Sequence, residues 1–220
     1  YLTELKSSAL YHEKIATQRT DRIDRINTDF LVVGAGVAGL RAAIALSDFG
    51  RVLVLAKDKL EESSSEYAQG GIAAALSDDD MVSLHEQDTL YAGDGLCDVG
   101  AVHALVEEGP HDIEQLITWG AEFDKDGTKL AFGQEGAHSR RRILHAHGDS
   151  TGQEIVRVLY VKAASIDNID IRSFSGVTDL LQDDGGRVCG AMAWSEATST
   201  AIEIHSRSVL LATGGLGRVF

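Results

Sequence analysis

The chain has 220 residues, of which 44% are hydrophobic and 25% are charged, and its net charge is -14. This composition is typical of a globular protein rather than a disordered one. The acidic balance, without a run of Lys or Arg, disfavours ligands whose phosphates require clustered cations, so we expect no nucleic-acid and no membrane-surface partner. No apolar run approaches the ~20 residues that a membrane-spanning helix needs.

The chain contains two cysteines, Cys97 and Cys189. Their spacing fits no metal site, and two thiols do not make a disulfide framework, so a reducing compartment and a cytoplasmic location are expected. Residues 1–27 have neither a secretory signal nor the Arg- and Ser-rich, acid-poor composition of a transit peptide. Because the chain begins with Tyr1 rather than Met, and residues 216–220 are untypical of a natural C-terminus, we expect a fragment of a longer protein.

The first predicted structural unit follows a polar extension, residues 1–27, and begins at Thr28. An apolar, β-branched run predicts a strand, a helical pattern follows a glycine-rich turn, and a second apolar run predicts another strand. These elements are expected at residues 30–33, 40–49 and 52–55, with Gly50 ending the helix. Their combined length is that of a βαβ unit, which predicts a parallel sheet.

A long polar connection at residues 58–80 comes next, and a connection of this length usually has a function. Periodicity and turn residues then predict helices, a hairpin turning at Asp126-Gly127, a polar and basic loop at 133–150, and a series of strands. The helices are expected at 81–92, 98–108, 110–119 and 153–166, the hairpin at 123–132, and the strands at 169–173, 177–182, 188–194, 201–205 and 209–212.

The strands between residues 177 and 205 alternate as a meander does, with a turn signal at 184–186, and the strand at 209–212 is expected to return to the parallel sheet. We therefore predict an α/β fold: a Rossmann-like domain over residues 28–220 with a parallel sheet, an added β-meander and a helical insertion.

A G-x-G-x-x-G motif follows the first predicted strand and opens the helix, the context that a dinucleotide-binding turn requires. Gly34 allows the tight turn, Gly36 lets the backbone approach a pyrophosphate, and Gly39 lets the helix pack against the sheet. The helix N-terminus offers N–H groups and a favourable dipole to the anion. The predicted phosphate-binding residues are Gly34, Ala35, Gly36, Val37, Ala38 and Gly39.

The acidic residue that normally ends the second strand and binds the ribose is missing. Lys57 follows the strand, and Asp58 comes after it. These residues alone leave three alternatives. Asp58 takes the place of the missing acid, Lys57 binds a 2′-phosphate as in an NADP enzyme, or Lys57 is a solvated loop residue.

The loop after Lys57 contains a specific motif, Ser-Ser-Ser-Glu-Tyr-Ala-Gln-Gly-Gly-Ile-Ala, beginning at Ser63. It resembles the flavin-contacting loop of the succinate dehydrogenase, fumarate reductase and L-aspartate oxidase superfamily, and the resemblance extends from Thr28 to the end of the chain. In that superfamily a lysine replaces the ribose-binding acid, so the resemblance implies FAD as cofactor. It also implies FAD contacts for Lys57, Ser64, Ser65, Glu66, Tyr67, Ala68, Gln69, Gly70 and Gly71.

The respiratory members of the superfamily carry the flavin covalently on a histidine of this loop, and the corresponding residue here is Ser64. The resemblance therefore implies non-covalent FAD and favours the soluble members, L-aspartate oxidases foremost. Residues 209–215 resemble the strand and turn that return to the FAD site, which implies FAD contacts for Ala212, Thr213 and Gly214. Val177 falls where such proteins contact the adenine through the backbone, although a plain core valine is an equal alternative.

Residues 134–146 and 148–152 resemble the corresponding stretch of L-aspartate oxidases, which implies that Glu135 lies near the substrate ammonium group. The family pattern has two glycines after this glutamate, and Ala137 stands here for the second. Residues 140–142 are three arginines that either help to neutralise a dicarboxylate or the flavin phosphates, or form an ion-paired surface. The histidines of this stretch lack zinc-type partners, so no metal is expected at His138, His145 and His147.

The resemblance also implies a reaction: L-aspartate loses a hydride to the flavin and becomes iminoaspartate, oxygen or fumarate reoxidises the flavin, and the product feeds quinolinate synthase on the route to NAD. Family members are longer, with a capping domain and the principal catalytic arginine beyond residue 220, so the fragment alone is expected to be inactive. A soluble fumarate reductase-like enzyme, a non-catalytic nucleotide-binding fragment and, on Lys57 alone, an NADP-dependent reductase are the alternatives.

Overall fold

The structure is a computed structural model that describes residues 23–60 and 62–215. The strands are β1 (Ile23–Val33), β2 (Val52–Leu55), β3 (Ile72–Ala73), β4 (Lys125–Asp126), β5 (Lys129–Leu130), β6 (Ile143–Leu144), β7 (Ile169–Arg172), β8 (Ser175–Gln182), β9 (Val188–Ser195) and β10 (Thr200–Leu211). The helices are α1 (Val37–Leu46), α2 (Val82–Ala92), α3 (Val99–Thr118) and α4 (Thr151–Ala164).

Most of the strands in the described residues join one six-stranded sheet with the order β7-β2-β1-β10-β9-β8. β1 pairs in parallel with β2 and with β10, β2 pairs in parallel with β7, and β8, β9 and β10 form an antiparallel meander. The predicted α/β class, with a parallel sheet, a meander and a helical insertion formed by α2 and α3, is confirmed. In the ranges described, no helix is long and apolar enough to cross a membrane.

The two faces of the sheet carry separate hydrophobic clusters. On one face, α1 and α4 cover the central strands, and Leu40, Ile44 and Leu159 are among the buried residues. On the other face, Leu31, Leu53 and residues of β9 and β10 form a smaller cluster. Because β2 is buried on both faces, its four residues are all apolar, as is typical of a central parallel strand.

The first and last strands are longer than the sequence predicted. β1 begins at Ile23 instead of residue 30, so the boundary predicted at Thr28 falls inside a strand. The strands predicted at 201–205 and 209–212 are one strand, β10, which stays paired with β1 from Ala201 to Leu211. The intervening polar residues gave no strand signal, but pairing with the neighbouring strand overrides local propensity.

Two helix predictions were also wrong in their bounds. The helices predicted at 98–108 and 110–119 are one helix, α3, which continues through Pro110 because Val102, Val106 and Ile113 keep one buried face across the proline. α1 ends at Leu46 with Ser47 as its C-cap, so Gly50 does not end the helix. The predicted hairpin is confirmed as β4 and β5.

Candidate flavin and substrate site

A crevice opens where the carboxyl ends of the parallel strands meet. The chain leaves β1 toward β2 on one side, while β10 lies on the other side of β1, with Val33 paired to Leu211. Ligands of open α/β sheets bind at such a point, where the strand order reverses. The turn after β1 and the turn after β10 are therefore the two walls of the candidate flavin site.

The G-x-G-x-x-G turn is held by backbone contacts that no other residue type permits. Gly34 has a φ of +113° and donates its N–H to the Leu55 carbonyl at 2.8 Å. A Cβ on Gly34 would lie 2.2 Å from the Ala212 oxygen, and a Cβ on Gly39 would lie 1.9 Å from the Gly34 oxygen. Each glycine thus lets one segment of backbone touch another, and this joins the two walls of the crevice.

The N-terminus of α1 points into this crevice, where it can take an anion. Gly36 is the N-cap and has no side chain to cover the first turn. The N–H of Val37 donates to the Ser65 hydroxyl at 3.3 Å, so the Ser-rich loop reaches the same helix end. Unpaired N–H groups and a hydroxyl at a helix N-terminus suit a pyrophosphate, and Ala35 is buried beneath them while Ala38 is exposed.

The Ser-rich loop is fixed against the start of α4. Glu66 donates its N–H to the Ser63 hydroxyl at 3.1 Å, and Ala68 accepts a hydrogen bond from the Gly152 N–H at 2.9 Å. A Cβ on Gly152 would lie 2.1 Å from the Ser65 oxygen, so this position admits only glycine. Gly152 lies within the motif at residues 148–152, and its role there is to let α4 approach the Ser-rich loop.

The other predicted loop residues lie on the exposed side of the same segment. Ser64, Gln69 and Gly70 are exposed, and the Tyr67 hydroxyl donates to Glu62 at 2.9 Å. Gly71 has a φ of +78°, and a Cβ there would lie 3.0 Å from the His145 Nε2. The loop therefore presents polar groups and backbone outward and ends at the histidine of the substrate stretch.

The residues after β2 and β10 have distinct surroundings. Lys57 is exposed at the end of β2, whereas the Asp58 carboxylate accepts the N–H of Lys59 at 2.8 Å and so belongs to its own turn. After β10, Ala212 donates its N–H to the Val33 carbonyl at 2.8 Å. Thr213 and Gly214 follow as exposed residues of the crevice wall.

Val177 lies in β8, whose first residue, Ser175, donates its N–H to the Ala56 carbonyl at 2.8 Å. It pairs with Ala193 of β9 and packs against the smaller hydrophobic cluster, so its side chain has the role of a core valine. A backbone contact between this strand and the adenine remains a prediction.

Glu135, the predicted substrate residue, lies in an exposed loop that is brought beside the flavin loop by β3 and β6. Ile72 pairs with Leu144, and this pairing places His145 next to Gly71. The Glu135 carboxylate lies 3.7 Å from the His145 Nε2. One histidine therefore separates the predicted substrate carboxylate from the loop predicted to contact FAD.

The departure from the family pattern at Ala137 has a structural consequence. Ala137 has a φ of +68°, a left-handed conformation that glycine adopts freely and alanine does not. The loop therefore keeps the backbone path for which the family pattern has glycine, at some cost in backbone strain.

Arg142 is the centre of a buried ion-pair network. It is 0% exposed, and it donates two hydrogen bonds to Asp80, at 2.8 and 2.9 Å, and one to Asp88 at 2.7 Å. Ser139 donates its N–H and its hydroxyl to the same Asp88 oxygen, both at 2.8 Å. Of the alternatives for the arginines, Arg142 is therefore ion-paired and does not face a ligand.

The network shifts several pKa values. Burial raises the pKa of Asp88, but hydrogen bonds from Ser139 and Arg142 outweigh burial and hold the pKa below its usual range. Burial lowers the pKa of His85, and the nearby Arg142 charge lowers it further. Within the described residues, the Nδ1 of His85 is a buried atom without a hydrogen-bond partner.

The remaining basic residues of the stretch face different groups. Arg140 donates to the Asp79 carbonyl at 3.2 Å, and Arg141 is exposed. His138 lies 3.4 Å from Arg142, and His147 lies 3.9 Å from the buried Glu154. His145, the third histidine of the stretch, lies 3.7 Å from Glu135.

A cavity of about 330 Å³ lies between α1, α4 and the Ser-rich loop. Its lining includes Leu40, Glu66, Tyr160, and the pair formed by Glu154 and Arg157. Hydrogen bonds from Arg157 outweigh burial and lower the pKa of Glu154, which also accepts the N–H of Glu122 at 2.8 Å. These contacts join the hairpin segment to α4 and account for the polar part of the cavity.

The geometry of the crevice agrees with comparison to known proteins. A family model described as "FAD binding domain" matches residues 29–220. The chain belongs to this family of FAD-binding domains, and its cofactor is FAD.

Curated relatives give a finer comparison. The chain is 45% identical over 200 residues to the L-aspartate oxidase of Streptomyces coelicolor, covering 89% of this chain and 34% of that protein. It is 42% identical over 197 residues to the chloroplastic L-aspartate oxidase of Oryza sativa subsp. japonica, covering 87% of this chain and 30% of that protein. The chain therefore spans about a third of the length of these relatives.

Solved structures are similar over the same region. The quinol fumarate reductase FrdA of E. coli superposes with a TM-score of 0.84 at 31% identity, covering 90% of this chain and 34% of that one. The Sdh1 complex of Mycobacterium smegmatis gives a TM-score of 0.83 at 31% identity, covering 90% of this chain and 36% of that one. The predicted superfamily resemblance is confirmed.

Proposed function

We propose that this chain is the flavin-binding part of an enzyme that oxidises L-aspartate to iminoaspartate with FAD as cofactor. The observation that carries the proposal is the pairing of β3 with β6, which joins the end of the Ser-rich loop to the stretch of chain that follows Glu135. The identity to L-aspartate oxidases over most of the chain supports the same substrate.

The residues of the crevice fit FAD. Gly34, Gly36 and the N-terminus of α1 would hold the pyrophosphate, while Ser65 and the backbone up to Gly71 would contact the flavin side of the cofactor. Bound FAD supplies the acceptor for the hydride that leaves the substrate Cα. Ser64 stands where covalent members have histidine, so FAD binds here without a covalent bond.

Glu135 selects the substrate in this proposal. L-Aspartate differs from succinate by one ammonium group, and a carboxylate near the reacting carbon attracts that cation. Glu135 is about half exposed, with its side chain at 52%, so it is accessible to a ligand. His145 lies between Glu135 and Gly71, with its Nε2 3.7 Å from the Glu135 carboxylate.

We further propose a cytoplasmic location and a functional link to quinolinate synthase. The two cysteines are free thiols, as is usual in a reducing compartment. Iminoaspartate is an imine that water hydrolyses, so an enzyme that uses it must act before hydrolysis.

The test uses the full-length protein. We expect a yellow protein that releases FAD on denaturation and whose visible absorbance bleaches on anaerobic addition of L-aspartate but not of succinate. Glu135→Gln is expected to weaken the L-aspartate response while leaving bound FAD unchanged. Flavin that ignores L-aspartate but is reoxidised by fumarate after chemical reduction would instead favour a fumarate reductase. A protein that cannot be reconstituted with FAD would reject the flavoenzyme assignment.

A further inference from the structure

We propose that Asp88 of α2 is a positioning residue for Glu135, acting through Ser139. The inference rests on the proposed role of Glu135 in binding the substrate ammonium group. Asp88 lies in the helical insertion, on a different element from the loop that it holds.

One oxygen of Asp88 collects the hydrogen bonds that fix the end of the loop. Its Oδ2 accepts the N–H and the hydroxyl of Ser139, both at 2.8 Å, and the Nη1 of Arg142 at 2.7 Å. The Asp88 side chain is 17% exposed, so these contacts are only weakly screened by water. Arg142 is bound independently by Asp80, so the arginine stays paired when Asp88 is altered.

The loop between Glu135 and Ser139 is closed by its own hydrogen bonds. His138 donates its N–H to the Glu135 carbonyl at 3.3 Å, and the Gln134 side chain donates to the His138 carbonyl at 2.8 Å. Since Ser139 follows His138 directly, a fixed Ser139 fixes this turn, and the turn fixes the direction of Glu135. Ala137, in its left-handed conformation, lies within the same turn.

The arrangement separates a positioning role from a role in folding. Ser139 is exposed, and the Ser139 hydroxyl contributes only one of the hydrogen bonds to Asp88. Its removal leaves the Arg142 network in place and loosens only the turn that carries Glu135. A residue that acts through Glu135 must lose its effect when Glu135 itself is replaced, because the two changes then remove the same interaction.

The experiment is a double-mutant cycle on the full-length holoenzyme, with Asp88→Asn, Ser139→Ala and Glu135→Gln alone and in pairs. We expect Asp88→Asn to raise KM for L-aspartate roughly fivefold or more, and Ser139→Ala to raise it roughly two- to threefold, with a smaller change in kcat. The flavin spectrum and bound FAD should not change. In the Glu135→Gln background, both variants should have no further effect on KM.

Lys129→Ala is the matched control, because Lys129 forms an exposed ion pair with Asp78 near the same region and should leave KM unchanged. If Asp88→Asn raises KM by the same factor in the parent protein and in the Glu135→Gln background, the positioning role is overturned. Asp88 is then a purely structural residue. If Glu135→Gln alone leaves L-aspartate kinetics unchanged, the proposed function of Glu135 fails first, and this single variant identifies that failure.

Discussion

The crevice at the glycine turn and the loop that carries Glu135, here called the substrate loop (residues 133–142), are neighbours in space but are built in different ways. The crevice is made of backbone, with Gly34 against Ala212 and Gly39 against Gly34, at distances that leave no room for a side chain. The loop is made of side chains, with buried Arg142 held between Asp80 and Asp88. The first construction is sensitive to added volume and the second to removed charge, so different substitutions test each region.

The largest effect is expected at Gly39. In Gly39→Ala, the new Cβ would lie 1.9 Å from the Gly34 oxygen, and backbone cannot move as a flexible side chain does. We expect the free energy of unfolding of the full-length protein to fall by at least about 4 kcal/mol, measured by urea unfolding. We also expect no FAD binding, measured by FAD titration.

Gly109→Ala is its control, because a Cβ there meets no group within 4 Å apart from its chain neighbours. It should bind FAD normally and change stability by no more than about 1 kcal/mol, because the helix propensity gained over glycine is offset by crowding against Pro110. Normal FAD binding by Gly39→Ala would contradict the backbone construction of the crevice.

Arg142→Met tests the substrate loop by removing charge at similar volume. It leaves the Asp80 carboxylate buried without its partner, which costs about 3–5 kcal/mol in a buried pair. We expect a lower urea midpoint of unfolding, with Arg142→Lys intermediate because lysine keeps the charge but not the two-point contact. A midpoint equal to the parent protein's would show that the network contributes no stability.

Glu154 gives a pH-dependent test beyond both regions. Its lowered pKa means that the folded state favours the carboxylate, so its contribution is complete above the ordinary pKa of 4.5 and is lost as the pH falls below it. Because Arg157 is half exposed, we expect only about 1–2 kcal/mol from Glu154→Gln at neutral pH. Urea midpoints between pH 3 and 7 should fall less steeply with acid in the variant, and parallel curves would contradict the assignment.

The smallest effect is expected at His85. Its pKa is lowered, so the folded state favours the neutral ring, and stability should decline as the pH falls below the ordinary value of 6.5. His85→Leu removes a buried ring nitrogen without a described partner, so a change within about 1 kcal/mol at pH 8 is expected. The melting temperature of His85→Leu should vary less between pH 8 and pH 5 than that of the parent protein. An equal variation would show that a group other than His85 causes the pH dependence.

The same contrast explains what the sequence predicted well. The glycine motif and the buried strand β2 are contiguous, so their spacing predicted a dinucleotide-binding turn, whereas the role of the Ser-rich loop came from the family resemblance. The partners of Arg142 are 62 and 54 residues away, and nothing in the local pattern distinguishes Asp80 and Asp88 from solvated acids. The sequence therefore predicted a role for Glu135, but the roles of Asp80 and Asp88 in holding its loop are visible only in the structure.

Helix and strand bounds failed for a related reason. Gly109-Pro110 is an ordinary signal for a helix end, yet the buried face of α3 continues across it. The middle of β10 is polar, yet β1 pairs with it along its whole length. In both cases tertiary contacts outweighed local preference, which sequence patterns do not report.

The pairing of β1 with β10 also constrains how the domain assembles. Arg25 and Glu203 are bonded across a separation of 178 residues, so β1 gains its second neighbour only after β10 has been synthesised. During that interval one edge of β1, an 11-residue strand that ends in a buried apolar run, stays open to pairing with other chains. Closing a loop of this size slows folding, so the central strand of the flavin site is expected to be the part that depends most on chaperone protection during synthesis.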